Sequence, residues 1–425
     1  MEHLLDYSWR QLRDWFISKG QPGYRVAQVL HWVYESPKIP FDEMSDVPKV
    51  VRRDLKKAFK VFSMQVASHR KGSDGTEKLL LRTQDGEFVE CVLLRDDKGN
   101  RTVCISTQVG CGMGCVFCAS GLDGVVRNLT SGEILEQILQ LKCLLEPEER
   151  LSHIVVMGMG EPLANLGRLL GALHRATHKD GLGISARHVT ISTVGLPHGI
   201  RRLAELSPQY HLAVSLHAPN DELRNRLVPA NRRIGIQAIL EAADDYFAKT
   251  GRRVTYEYVV IRNINDRPEH AQELGELLRG RNALVNLIPY NAIQGLPYEV
   301  PDRRDVGRFA DILNRLGVQV TIRYRKGSEI EAACGQLRRV HPEVVSKSKK
   351  KKKKKSSTAS EEGAGVSPSG QPTPDNGSTS DSTILSNDAT VTVCDAELEL
   401  YDLNEEISLH EAEQPSSKSS KPISE

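Results

Sequence analysis

Long hydrophobic runs are missing from this sequence. No stretch approaches the ~18 consecutive apolar residues a membrane-spanning helix needs, and Met1-Glu2-His3 opens no signal peptide. Membrane and secreted proteins are therefore not expected. Aromatic residues are scarce, 5% against 39% hydrophobic, so either the core is aliphatic or part of the chain has none. An excess of one charge is absent too: 57 Lys and Arg nearly offset 55 Asp and Glu, a net of +2. Cysteine, by contrast, is present. Eight cysteines in a chain without a leader argue against a disulfide framework and for metal or redox chemistry. The 425 residues leave room for two ordinary domains and a remainder.

The remainder begins at Ser346. A run of seven lysines, Lys349 to Lys355, leads into a stretch in which 23 of 35 residues are Ser, Thr, Pro, Gly or Asn. Such a composition cannot bury enough apolar surface to offset chain entropy, so 346–425 is expected to be disordered. This tail holds 10 basic and 14 acidic residues, leaving 47 basic and 41 acidic in the first 345, a net of +6. The near-neutral total conceals a basic body. The lysine run suits either a solvated linker or electrostatic contact with RNA.

The body divides by rhythm. Residues 1–60 are expected to form a small helical domain, with one helix opening at Ser8-Trp9, a second over Tyr24–Tyr34 and a third starting near Pro48. The third carries Lys49, Arg52, Arg53, Lys56, Lys57 and Lys60 against one acid, Asp54; a solvated face and a phosphate-contacting face both fit. Residues 61–100 alternate like a β-hairpin linker, with turns at Ser73-Asp74-Gly75 and Gln84-Asp85-Gly86. From 101 to 345, short β-branched runs recur at Thr102–Thr107, His153–Met157, His188–Ser192, Leu212–Leu216, Val254–Ile261, Ala283–Ile288 and Val318–Tyr324. Helical stretches such as Ser131–Leu145 and Arg303–Leu316 lie between them. Strand–helix alternation of this kind predicts an α/β fold with a parallel sheet, and six or seven units suit a partial (β/α)6-type barrel.

Cys111, Cys115 and Cys118 stand in a C-x3-C-x2-C run after the first strand. The spacing would also place them on one helix face, but Gly110, Gly112 and Gly114 oppose a helix, each costing about 1 kcal/mol relative to alanine. Three glycines suit a loop folded around a cluster. A [4Fe–4S] cube held by three thiolates leaves one iron open to a chelating ligand. Structural zinc prefers a fourth protein ligand, and none stands nearby at finger spacing. Other polar residues fall at strand ends: Gly160 and Glu161, Ser192, Ser215 to His217, Asn291 and Cys334. That is where barrels of this kind place their chemistry. Gly158-Met159-Gly160 is no dinucleotide fingerprint, because Leu163 occupies the third glycine position.

Several motifs in order now resemble one family. Val103 to Cys111, Arg127-Asn128-Leu129-Thr130, Gly158-Met159-Gly160-Glu161-Pro162, Ser215-Leu216-His217-Ala218 and Ala332-Ala333-Cys334-Gly335-Gln336-Leu337 are similar to the RlmN/Cfr family of radical S-adenosylmethionine (SAM) RNA adenine methyltransferases. The resemblance spans about residues 4 to 340. It implies a radical SAM barrel, with Cys111, Cys115 and Cys118 on a [4Fe–4S] cluster and SAM held by Gly160, Glu161, Ser192, Ser215, Leu216, His217 and Asn291. The implied cycle methylates Cys334 from one SAM and uses a radical from a second to activate that methyl group toward adenine. Cys104 then releases the product by forming a transient disulfide with Cys334, and Glu90 accepts a proton.

The same resemblance implies C2 of adenine 2503 in 23S rRNA as the target, with adenine 37 of tRNA left open. It also implies an electron donor such as flavodoxin or ferredoxin, no membrane, a monomer and a cytoplasmic location. A C8-directed enzyme of the Cfr type and a non-catalytic iron–sulfur RNA-binding protein remain the competing readings. Cys91 and Cys143 are expected to be packing residues and Cys394 a tail thiol. Lys326, Glu329, Ala292 and Val125 depart from the family pattern, which puts loop geometry around SAM in doubt but removes no catalytic atom.

Overall fold

A computed structural model describes residues 1–206, 209–323 and 327–337. The expected disordered tail with its lysine run, Cys394, Lys326 and the Tyr324 end of the last expected strand lie outside the described residues.

The chain opens with β1 (Glu2–His3), α1 (Trp9–Ser18), α2 (Arg25–Glu35), α3 (Lys49–Ala58) and β2 (Phe59–Lys60), and β1 pairs with β2 in parallel. Helix α1 starts where Ser8 and Gln11 cap each other's backbone reciprocally. Leu12, Phe16, Val26, Leu30, Val51 and Leu55 close the core of this unit. On α3 the basic face is partly engaged: Lys56 pairs with Asp42 and Arg52 donates to the Asp42 carbonyl, while Lys49 and Lys57 face solvent. The unit is pinned to the rest by buried Glu136, which accepts from Ser63 N at 2.8 Å, Ser63 Oγ at 2.7 Å and Met64 N at 2.8 Å.

Residues 61–100 form the antiparallel strands their alternation suggests. Strands β3 (Gln65–Lys71), β4 (Glu77–Arg82) and β5 (Phe88–Arg95) run antiparallel, and β5 pairs with β6 (Arg101–Cys104), placing Val92 opposite Cys104. They extend the main sheet. The expected first strand, Thr102–Thr107, stops at Cys104 because other partners take the next backbone groups. Ser106 N donates to Gln137 Oε1 at 2.8 Å and Thr107 N to Met159 O at 2.8 Å. The chain then forms a separate ladder of β7 (Gln108–Gly110) and β8 (Val125–Asn128), which encloses the cysteine loop.

Beyond it follow α4 (Ser131–Lys142), β9 (His153–Val156), α5 (Leu166–Thr177), β10 (Val189–Thr193), α6 (Pro197–Leu206), β11 (His211–Ser215), α7 (Asp221–Leu227) and α8 (Ile236–Thr250). The chain ends its regular structure with β12 (Val254–Val260), α9 (Pro268–Leu278), β13 (Ala283–Pro289), α10 (Arg303–Arg315) and β14 (Gln319–Ile322). Thr130 and Glu133 form a second capping box at α4. Strands β6 and β9 to β14 are parallel and lie in chain order, so each helix crosses over to the adjacent strand, as the alternation predicts. The ten-stranded sheet has β14 and β3 as its edges.

Residues 327–337 bridge those edges. Gly327 N donates to Asp74 Oδ2 at 2.7 Å, Lys78 Nζ to the Glu331 carbonyl at 2.9 Å, and Arg70 pairs with Glu331 at 3.3 Å. Glu329 accepts from the Ser73 hydroxyl at 2.7 Å. The segment bearing Cys334 is therefore strapped from the last parallel strand to the first hairpin. Among the described residues no helix is long and apolar enough to cross a membrane.

Candidate active site

A solvent-open cleft lies at the C-terminal ends of the parallel strands. Cys111, Cys115, Cys118, Gly160, Glu161, Ser192, Ser215, His217, Asn291 and Cys334 all line it. Leu216, Glu90 and Cys104 do not.

The cysteine loop is held by its own backbone. At Gly110 φ is +78° and a Cβ would strike the Gly124 carbonyl, so only glycine fits there. Cys111 N donates to Gly124 O at 3.0 Å and Val116 N to Leu227 O at 3.1 Å. Ala119 N donates to Gly335 O at 2.8 Å, joining the loop to the Cys334 segment. Burial pushes the Cys111 thiol up to about 12 and raises those of Cys115 and Cys118. Thiols so desolvated ionise only with a strong positive partner such as a metal. Among the described residues no three His, Cys, Asp or Glu side chains converge as a single-ion site requires. Three separated thiols around one cleft, with no fourth ligand, fit the corners of a polynuclear iron–sulfur cluster.

The strand ends have more structural work than the sequence suggested. A Cβ on Gly160, where φ is +107°, would lie 2.7 Å from Gln108 Cβ, and one on Gly158 would lie 2.6 Å from Ser106 Oγ. Both glycines let the loop after β9 pack against β6 and β7, besides leaving room in the cleft. The Glu161 carboxylate is buried and fully engaged, accepting from Leu163 N at 3.0 Å, Thr193 Oγ1 at 2.7 Å and Val194 N at 2.8 Å. It braces β9 to β10. Ser192 and Ser215 face each other with hydroxyls 3.3 Å apart. Leu216 turns its side chain into the main core.

His217 adopts a left-handed backbone, φ +60°, and Nδ1 accepts from Val259 N at 3.1 Å. Burial, with Arg224 adding repulsion, pushes it down to about 3, so it is neutral. Asn291 donates to the Cys334 carbonyl at 3.1 Å, and its own buried Oδ1 has no partner. An unpaired buried acceptor in a ligand-sized cleft marks a place for a ligand donor, as a SAM site requires.

Cys334 lines the cleft and also a small pocket, where Cys104, Met157 and Arg323 are its neighbours. Both are free thiols in this structure, so the disulfide the resemblance implies is not formed. Burial pushes Cys104 up to about 12 and raises Cys334. Glu90 is buried on β5 with its carboxylate 2.9 Å from Lys78 Nζ, in the wall beside the strapped segment. Cys91 is buried in the core and Cys143 half-buried. Of the departures from the family pattern, the Ala292 carbonyl accepts from Gln336 at 2.9 Å and Val125 is exposed on β8.

Two features escaped the sequence reading. Arg224 is fully buried, donating to the carbonyls of Leu216 at 3.0 Å, Ser215 at 3.1 Å and Val194 and to Asn231 Oδ1. It ties the ends of β10 and β11 beneath the cysteine loop. Glu257 lines the cleft as the head of a polar ladder: Asn286 donates to it at 2.8 Å, and Thr321 donates to Asn286 at 3.1 Å. Burial pushes Glu257 up to about 7. The signal was available, since Glu257 and Asn286 are lone polar residues inside apolar strand runs.

Parallel strands ending at a three-cysteine loop, with an open cleft beside it into which polar strand-end residues converge, define a radical SAM enzyme. Residues 105–275 match the model of the Radical SAM superfamily, and residues 2–61 that of the ribosomal RNA large subunit methyltransferase N-terminal domain. A probable dual-specificity RNA methyltransferase RlmN from Rhodopirellula baltica is 56% identical over 342 residues, covering 80% of this chain and 92% of that protein. Another from Staphylococcus aureus is 43% identical, covering 79% and 93%. The crystal structure of a radical SAM methyltransferase from Sphaerobacter thermophilus has a TM-score of 0.78 at 41% identity, covering 80% of this chain and 100% of that one. The chain belongs to the RlmN family of radical SAM RNA methyltransferases, whose cofactors are a [4Fe–4S] cluster and SAM.

Proposed function

We propose that this enzyme methylates C2 of adenine in 23S rRNA and in tRNA, using Cys334 as the methyl carrier and Cys104 as the residue that releases the product. The dual-specificity names of its relatives support both RNA classes. The observation that carries the cysteine roles is the position of Cys334, which borders the cleft of the cysteine loop on one side and the Cys104 cavity on the other. A methyl group on that sulfur would face radical chemistry in the first and a second thiol in the other.

Cys111, Cys115 and Cys118 would hold the cluster, which would supply the reducing chemistry that SAM needs. The residues of this chain do the rest. Asn291 offers its unpaired Oδ1 to a SAM donor, and the Ser192 and Ser215 hydroxyls offer polar contacts at the strand ends. Neutral His217 adds no charge. Glu161 acts by bracing the loop, not through a free carboxylate. Glu90 accepts a proton only after the Lys78 pair opens, as when the strap over residues 327–337 moves for RNA. The basic α3 face meets the RNA backbone through Lys49 and Lys57. The enzyme acts as a cytoplasmic monomer fed by flavodoxin or ferredoxin.

Peptide mass spectrometry of the purified full chain tests the carrier role. A methyl or methylene adduct on Cys334 is expected; an unmodified thiol in every preparation would refute it.

A further inference from the structure

Both sulfur roles in the proposed function need a thiolate, yet Cys104 is buried, and desolvation raises the Cys334 thiol too although the residue as a whole is exposed. A buried thiol ionises readily only near a cation, a helix N-terminus or a metal. Cys104 ends β6 and Cys334 follows β14; no helix starts at either. The cavity they share is otherwise apolar, walled by Val92, Leu94, Val155 and Leu337, and among the described residues its single charged lining residue is Arg323.

Arg323 is placed there by the fold. It follows β14 directly, and its backbone N donates to Leu287 O at 2.9 Å, fixing its register against β13. Its Nη1 reaches Met157 Sδ at 3.8 Å, a weak acceptor at the end of β9. No carboxylate lies within ion-pair distance of its guanidinium among the described contacts, and Glu257 on β12 is the acid that acts on it electrostatically from farther off. A half-buried guanidinium held against a thioether has charge to spare for the two sulfurs.

We propose that Arg323 is a positioning residue for the methyl-transfer cycle, its guanidinium serving as the shared counter-charge for the thiolates of Cys334 and Cys104. Arginine suits the task because it stays charged when desolvated and carries several donors in one planar group. The electrostatics agree in direction: Arg323 lowers both thiols against burial, and Glu257 opposes it at Cys334. The remaining groups facing the thiols are each other, the Cys118 thiol across the cleft from Cys334, and the buried Cys91 thiol on β5 near Cys104. One cation therefore serves whichever cysteine is the nucleophile in each half of the cycle. This rests on the proposed roles of the two cysteines, but the charge arrangement can be tested without them.

The test is alkylation of the full-length protein by iodoacetamide over a pH series, read peptide by peptide on chain whose Cys334 carries no methyl group. R323Q and R323M should each raise the pH midpoint of Cys334 alkylation by about one unit, a tenfold slowing at a given pH below it. R323K should largely restore the wild-type profile, and E257Q should shift the midpoint the opposite way, downward. Unchanged midpoints in both neutral variants would overturn the proposal. Should neither accumulate as folded protein, E257Q decides: a lower midpoint supports the proposal and an unchanged or higher one overturns it. No SAM or RNA enters the assay, so its failure is distinct from failure of adenine methylation, which nucleoside analysis reads.

Discussion

Cys104 at the end of β6 and Cys334 beyond β14 line one cavity, although β6 and β14 stand at opposite ends of the parallel run of the sheet. Among the described residues no strand pairing joins β14 to β3. The strap of residues 327–337, fastened to Asp74 and Lys78 of the first hairpin, carries Cys334 across the gap.

Gly160 should tolerate no side chain. A Cβ at 2.7 Å from Gln108 in a backbone with φ +107° combines overpacking with strain, about 2–4 kcal/mol together. Gly160→Ala should lower stability by that amount in urea unfolding. It should also reduce iron per chain, because Gln108 begins the ladder that leads into Cys111.

Glu161 offers a sharper distinction between bracing and ligand binding. Glu161→Gln places an amide against three donors, leaving at least one unsatisfied, at a cost of about 1–3 kcal/mol. Thr193→Val removes one of those donors and should cost less. If Glu161→Gln kept full thermal stability and lost only SAM affinity, the bracing role would be wrong.

Arg224 has no adequate substitute. Arg224→Met strands the carbonyls of Val194, Ser215 and Leu216 and should destabilise by about 3 kcal/mol or more. Arg224→Lys should recover little, since a point charge cannot serve several fixed acceptors. Chemical unfolding of both variants checks this.

His217 makes stability depend on pH in a stated direction. Its native value near 3 lies below the ~6.5 of an unfolded histidine. Between those values the unfolded chain binds a proton that the native chain does not. Stability from this group is complete above ~6.5 and falls by about 1.4 kcal/mol per unit as pH drops toward 3. Asparagine tolerates the left-handed backbone, so His217→Asn should flatten the stability–pH slope by that amount. Parallel slopes for wild type and variant would contradict the assignment.

Much of the architecture was legible because it is local. Alternating β-branched runs and amphipathic helices announce parallel crossovers, and Gly110 among the cysteines announces a loop. What escaped depends on long-range pairing. The strands over 65–95 look like a free hairpin until Val92 is found opposite Cys104, and the first barrel strand breaks where Gln137, 31 positions on, takes the Ser106 amide. The Glu257–Asn286–Thr321 ladder needs the register of three strands. Glu90 could be placed at the end of a strand from sequence, but not beside Lys78, which only the register with β4 provides.

The central claim is that this enzyme methylates C2 of adenine through Cys334. Its most direct test is to incubate the cluster-loaded full chain with reductant, methyl-deuterated SAM and unmodified 23S rRNA, then digest the RNA to nucleosides for mass spectrometry. The account predicts 2-methyladenosine carrying label and none from Cys334→Ala. Formation of 8-methyladenosine without 2-methyladenosine, or an undiminished yield from Cys334→Ala, would contradict it.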